Sequence, residues 1–305
     1  MAAGADRPRV AVAACEQFPD LHDDWPLLRA ALGQAGIDGR AAVWSDPDED
    51  WSAFDLIVAN GVWDNIHRAD EFLDWADRIG IGLGVPMVNS PASLFWNIDK
   101  RYLRDLDARG VPIVPTTWVE PGGAADGFRV PVPGYDGAEV VVKPSISGGG
   151  HLTARYGRDD EHDVTAHVRS LTERGRTAMV QPYVATVDRD GETGLIFLGS
   201  AFSHAIHKAP MIRPCAGPRD SLIDNQVTTE ARATPAQLEL GQRAVAVAED
   251  LVGPTAYARV DMVTLDDGTH ALLELELLDP VLFFVHHPAG AAAFARVISE
   301  HLAAL

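Results

Sequence analysis

Apolar positions in the first ninety residues come as short unbroken runs separated by stretches with helical spacing. Residues 10–14, 41–44, 54–59 and 86–89 read as buried strands, and residues 25–35 and 69–79 as helices closed by Gly36 and Gly80. Strands alternating with helices predict a small open parallel sheet. The run Gly80-Ile-Gly-Leu-Gly-Val departs from G-x-G-x-x-G and precedes a strand instead of following one. It predicts a helix stop and a tight turn, not a dinucleotide site.

Beyond residue 93 the helical period runs to Gly110, with Asn97 as N-cap and Lys100 in the first turn, where a cation opposes the helix dipole. Taken alone, Lys100 is best explained by a surface ion pair with Asp99 or Asp105. Strands follow at 113–119 and 139–143, a helix at 163–174, and a strand at 178–184 in which Pro182 marks an end or an edge. Residues 192–198 and 201–208 pair through a turn at Gly199-Ser200. Alternation sets His204 and Lys208 on one face and Ser203, Ala205 and His207 on the other. Residues 209–225 show no period, and a loop of that length inside a compact domain is usually functional. Thr234-Pro-Ala-Gln starts a helix that runs to 251, and an amphipathic helix spans 291–305.

The most informative stretch is 257–278, where two alternating runs flank Asp267-Gly268, a strong hairpin signal. With those two residues at the centre of the turn, Asp261 faces Glu274 and Arg259 faces Glu276. All four share one face. Val260, Met262, Leu273, Leu275 and Leu277 fall on the other, as core. A three-residue turn would shift this register. Two carboxylates about 4 Å apart repel by roughly 4 kcal/mol at an effective dielectric near 20, and one Arg cannot neutralise three. An all-oxygen set suits a hard ion, Mg²⁺ in particular. An isolated Glu-x-Glu is as readily the solvated face of an edge hairpin.

A second chemical signal is Val-Val-Lys143-Pro-Ser145-Ile-Ser147-Gly148-Gly149-Gly150, a Lys ending a buried strand just before a flexible loop. Such backbone amides can close over phosphates while the Lys supplies a point charge. The P-loop pattern is absent, and a plain Gly-rich hairpin is the competing explanation.

Composition narrows the classes. The chain has 305 residues, enough for two domains or one with subdomains, and 25 basic against 44 acidic side chains give a net charge of −19. That charge disfavours nucleic acid and anionic membranes as partners. Cys15 and Cys215 lie far apart without metal spacing, so no disulfide framework is expected. No apolar run approaches membrane-spanning length, the first residues lack a signal peptide's core, and a cytoplasmic location is expected.

In order, Trp96-Asn-Ile-Asp-Lys-Arg-Tyr-Leu, VVVKPSISGGG, MVQPYV, SHAIHK, ARVDMV and LLELELLDPVLFF resemble the ATP-grasp superfamily in its glutathione-synthetase and D-alanine–D-alanine-ligase arrangement. The resemblance covers nearly the whole chain and implies a mixed α/β and α+β fold. A parallel α/β pre-domain (1–95) would precede two α+β subdomains (96–185 and 186–305) that clasp ATP. It implies Lys100 and Lys143 on phosphates, with Ser145, Ser147 and Gly148 to Gly150 as lid. Gln181, Pro182, Tyr183 and Val184 would form the adenine hinge. Lys208 and Arg259 would be catalytic, and Asp261, Glu274 and Glu276 would hold Mg²⁺; the last is Asn in many ligases. The stretch after Glu276 is similar to the actinobacterial branch that contains O-ureido-D-serine cyclo-ligase, although Trp63-Asp-Asn stands where that branch carries Trp-Asp-Tyr. A small amino acid derivative is the implied substrate, with Trp63, Asp64, Asn65, His207 and Asp279 as candidate contacts and Asp64 accepting from an α-ammonium. The resemblance makes an ATP-dependent ligase the leading expectation, with ring closure favoured over intermolecular amide ligation; a nucleotide-binding module without ligase chemistry is the alternative of another class, and a homo-oligomer is open. A Rossmann oxidoreductase is disfavoured by the failed glycine fingerprint.

Overall fold

The computed structural model describes residues 7–123, 139–213, 217–221 and 226–305. The first unit contains strands β1 (Arg9–Ala14), β2 (Asp38–Val43), β3 (Leu56–Val58) and β4 (Met87–Val88), with helices α1 (Trp25–Gln34) and α2 (Ala69–Ala76). All pairings in it are parallel, in the order β2-β1-β3-β4. Gly80 does not stop α2. The winding continues as wider turns over Asp77–Gly82, and Gly84, at φ +69°, ends it. Gly80 instead permits close packing, since a Cβ there would fall 2.6 Å from Pro91 and 2.8 Å from Met87.

The single helix expected from 93 to 110 is two: α3 (Pro91–Asn97), capped by Ser90, and α4 (Tyr102–Ala108). Asn97 is the last residue of α3 and caps nothing, because its amide is used on the hairpin at 257–278. Strands β5 (Thr117–Val119), β6 (Val140–Pro144), β7 (Ala154–Tyr156) and β8 (Ala178–Pro182) form an antiparallel sheet in the order β5-β8-β6-β7, with α5 (Glu161–Glu173) packed on it. Pro182 ends β8, as its missing donor requires. Residues 112–116 are not part of β5. They cross between sheets, and Ile113 bridges to Leu272.

After the short helix α6 (Val187–Asp190), strands β9 (Glu192–Leu198), β10 (Ala201–Lys208), β11 (Thr228–Ala231), β12 (Tyr257–Thr264) and β13 (His270–Glu276) form a third sheet, ordered β11-β10-β9-β12-β13. Helix α7 (Pro235–Val252) begins with a full capping box between Thr234 and Gln237. Helix α8 (Ala289–Ala303) closes the chain. β11 carries too little alternation to be predicted. Packing crosses the limits at 95 and 185: Tyr102, Leu103 and Leu106 share a core with Leu195 and Phe197 of the third sheet and Leu240 of α7. Phe294 and Ile298 of α8 pack with Leu28 and Leu32 of α1. Cys15 is a buried free thiol; Cys215 lies outside the described residues. Among the described residues, no helix is long and apolar enough to cross a membrane.

Candidate active site

The hairpin face forms in the expected register, by an unexpected route. Arg259 pairs with Glu276 and Asp261 with Glu274, yet Thr264 pairs with His270. The loop is the three residues 266–268, closed by Leu265–Thr269 and Gly268–Leu265 hydrogen bonds, with Gly268 at φ +81°. This shifts the register by one, and a bulge between Asp261 and Met262 shifts it back. The extra residue is Leu273, which lines the cavity and packs against the small cluster of Val114, Val187, Val263 and Ala271.

β13 is an edge strand, and buried polar groups satisfy its free backbone. Asn97 Nδ2 donates to Leu275 O (2.9 Å), and its Oδ1 accepts from Leu277 N (2.7 Å). Tyr102 Oη accepts from Leu275 N at 2.9 Å. From the end of β4, Asn89 Nδ2 donates to Tyr257 O (2.9 Å) and Leu277 O (2.8 Å). The parallel sheet thus grips both strands of the hairpin.

On the face itself Lys208 Nζ lies 2.5 Å from Asp261 Oδ2, and Arg259 Nε is 3.0 Å from the same oxygen. Arg259 also pairs with Glu276 and donates to Val281 O at 3.1 Å. Lys100 Nζ is 2.9 Å from Glu274 and bonds Ser147 O. So the charge deficit read from the hairpin alone is made up by two lysines from other elements. Lys100 is no surface residue: it is buried, and its partner is neither Asp99 nor Asp105. Burial works against the charges of Asp261 and Glu274, but Arg259 and Lys208 hold the first below the usual carboxylate range, as Lys100 and Lys143 hold the second. Burial and the neighbouring carboxylates Glu274 and Asp261 outweigh Arg259 at Glu276, pushing it up to about 7. Burial, with Lys100 alongside, lowers Lys143. Oxygens of Asp261, Glu274 and Glu276 lie within 4.8 Å of one another, a spacing and donor set that fit Mg²⁺ completed by phosphate oxygens.

These groups line a cavity of about 560 Å³ between the three sheets. Its roof is Ser147 with Gly148, Gly149 and Gly150, the last two at φ +57° and +72°. Gly148 lies so close to Ile66 that a Cβ would sit 3.3 Å from it, and the His151 and His67 rings meet edge to face at 4.8 Å. Ser145 is outside the cavity; its carbonyl accepts from Lys100 N at 2.9 Å, which ties the loop's base to that lysine. Gln181, Pro182, Tyr183 and Val184 form the wall nearest β8.

The candidate substrate residues separate. Trp63, Asn65 and Asp279 line the cavity end next to the parallel sheet. Asp64 does not. Its carboxylate accepts from Trp44 Nε1 (2.7 Å) and pairs with Arg68 (3.3 Å), on the side away from the cavity. His207 is on the opposite face of β10 from Lys208 and bonds Asp190 O at 3.0 Å. Neither can touch a ligand with Lys208. Two cavity residues gave no sequence signal of a site. Glu192 faces Lys208 across the β9–β10 pair, with burial raising its carboxyl. Phe18 stands edge-on to Trp63 with ring centroids 5.3 Å apart.

Residues 10–89 match the family described as D-cycloserine synthetase DcsG, N-terminal domain. The cycloserine biosynthesis protein DcsG of Streptomyces lavendulae is 35% identical over 285 residues, 92% of this chain and 94% of that protein. A crystal structure of D-cycloserine synthetase DcsG superposes with a TM-score of 0.87 at 32% identity, over 96% of this chain and 99% of that one. D-Alanine–D-alanine ligase from Bacillus anthracis, complexed with ATP, gives 0.61 at 14% identity over 97% of both chains, a likeness of fold alone.

Proposed function

The chain belongs to the D-cycloserine synthetase family of ATP-grasp ligases, and from that premise we propose that it closes O-ureido-D-serine to D-cycloserine. The enzyme is an ATP-dependent ligase. The observation that carries the reading is the convergence of Arg259, Asp261, Glu274 and Glu276 with Lys100, Lys143 and Lys208 on one cavity. Those groups serve a reacting phosphate, so they disfavour a module that merely binds nucleotide. Ring closure is favoured over joining two amino acids by the likeness to the cycloserine biosynthesis protein over 92% of the chain.

In the balanced reaction the substrate carboxylate takes the γ-phosphoryl group of ATP, the nitrogen bonded to oxygen attacks the acyl carbon, and phosphate leaves. Water then removes the carbamoyl group as carbon dioxide and ammonia. Phosphoryl transfer asks the protein chiefly for position and charge. Lys100 and Lys143 hold phosphate oxygens, the glycine loop excludes water, and the backbone of Gln181 to Val184 carries the adenine edge. Arg259 and Lys208 stabilise oxyanion charge at the acyl centre. Asp261, Glu274 and Glu276 are the groups that would hold Mg²⁺. When bound, Mg²⁺ neutralises charge developing on the transferred phosphoryl group. Lysines leave their carboxylates for phosphates as the nucleotide enters, which makes metal binding depend on nucleotide. We place this activity in the cytoplasm, acting on free small molecules and not on nucleic acid.

The test is incubation of the enzyme with Mg²⁺-ATP and O-ureido-D-serine. Equal amounts of cycloserine, ADP, phosphate and ammonia are expected. ADP release that requires two separate amino acids would discard ring closure in favour of an amide ligase.

A further inference from the structure

We propose that Asp279 is the receptor for the α-ammonium group of the substrate, with Trp63 as the wall beside it; this rests on the amino acid ligase reading above. Four buried or half-buried carboxylates line the cavity besides Asp279. Asp261, Glu274 and Glu276 each make an ion pair with a lysine or arginine, and Glu192 faces Lys208 across the β9–β10 pair. Asp279 makes no ion pair among the described residues. Its one side-chain partner is neutral: Asn65 Nδ2 donates to Oδ2 at 2.7 Å. Burial, with Glu276 nearby, pushes this carboxyl well above the usual range against the pull of Arg259 and Lys100, so an ammonium ligand is what restores its charge.

The position is built rather than incidental. Asp279 has a left-handed backbone, φ +49°, uncommon for a residue with a side chain. It is held there from the parallel sheet, where Trp63 Nε1 donates to Asp279 O (3.1 Å) and Asn60 Nδ2 to Pro280 O (2.7 Å). Asp24 accepts from Leu282 N and Val285 N, both at 3.1 Å, and so fixes the rest of the loop. An ammonium group has three donors, and the remaining lone pairs of Asp279 accept them.

The same loop orients the rest of the ligand. Val281, two residues on, holds Arg259 by its carbonyl. An α-amino acid with its ammonium on Asp279 therefore directs its carboxylate toward Arg259 and the phosphate end. The site demands a free α-amino group and rejects acylated or des-amino analogues.

Asp279→Asn is the decisive variant. It keeps the shape, the acceptor for Asn65 and a residue type that tolerates the left-handed backbone, and removes only the charge. Binding of O-ureido-D-serine and of its des-amino analogue is measured by calorimetry, with Mg²⁺ and a non-hydrolysable ATP analogue present. Wild type should prefer the amino compound by about 10- to 100-fold, the size of a lost charge-assisted hydrogen bond, and Asp279→Asn should lose that preference with nucleotide binding unchanged. A variant that keeps the wild-type preference overturns the ammonium site, whatever the reaction is. Wild type that binds the amino compound in this assay but fails to turn it over when Mg²⁺-ATP replaces the analogue refutes ring closure alone, and the binding contrast still decides the site. Wild type that binds neither compound overturns both.

Discussion

The two ends of the cavity are built differently. The end proposed to take the phosphates is a strand face: Arg259, Asp261, Glu274 and Glu276 occupy paired positions on β12 and β13, and each has a counter-charge already in place. The other end is made of loops. Phe18, Trp63, Asn65 and Asp279 come from three separate connections, and its carboxylate makes no ion pair among the described residues. A sheet face holds charges at fixed spacing and suits the chemistry every ATP-using ligase needs. Loops can change without disturbing a core, so they suit the choice of substrate. The phosphate end should therefore govern whether ATP is used at all, and the loop end which acceptor is taken.

Removing one charge at the phosphate end is the strongest test of that division. Glu274→Gln loses the ion pair with Lys100 and one of three clustered acid oxygens. Turnover should fall by at least about a thousandfold, with whichever acceptor is supplied, because charge stabilisation at the phosphoryl group is lost. Thermal unfolding should stay cooperative and within a few degrees of wild type. ADP release near the wild-type rate would break the assignment of the strand face.

The second test is pH. Glu276 sits near pKa 7 because burial and its acidic neighbours outweigh Arg259. A ligand carboxylate must be ionised, so protons compete with the metal below that pH. Mg²⁺ affinity measured with nucleotide present should fall about tenfold per unit below pH 7 and level off above it. Glu276→Gln should bind more weakly than wild type above pH 7, approach it at low pH and lose the inflection. A flat profile in wild type would remove Glu276 from the metal set.

How much of the molecule is legible in its sequence follows the same division. Period-two alternation fixes which residues share a strand face, so Arg259 with Asp261 and Glu274 with Glu276 can be read directly, whereas the cross-strand pairing comes out as read only because two departures cancel. It also sets His207 away from Lys208, and a shared role for the two as substrate contacts conflicts with that rule. The compensating pair, a loop at 266–268 and a bulge at Leu273, is not legible, since Asp266-Asp267-Gly268 fits more than one turn. Asn97 resembles a cap because Asn before a helical run usually is one; its true partner is a strand edge some 180 residues away, beyond any local pattern. Asp64 is drawn from the cavity by Trp44 and Arg68 in the same way. Phe18, a lone aromatic in a polar loop, carries no periodic signal.

Phe18 gives the smallest and most selective test. Its side chain is 46% exposed, unusual for Phe, and it stands at the mouth beside Trp63 with only edge-to-face packing to hold it. Because so little of it is buried in the free protein, Phe18→Ala should leave stability within about 0.5 kcal/mol of wild type. If the ring closes over the acceptor, the variant forfeits an aromatic interaction of about 0.5–1.5 kcal/mol, a two- to tenfold rise in KM for the amino substrate. The KM for ATP and kcat should hold, since an interaction made equally in the ground and transition states affects binding and not the chemical step. A fall in kcat with unchanged KM would mean that the loop end takes part in the reaction itself, and the separation of the two ends would no longer stand.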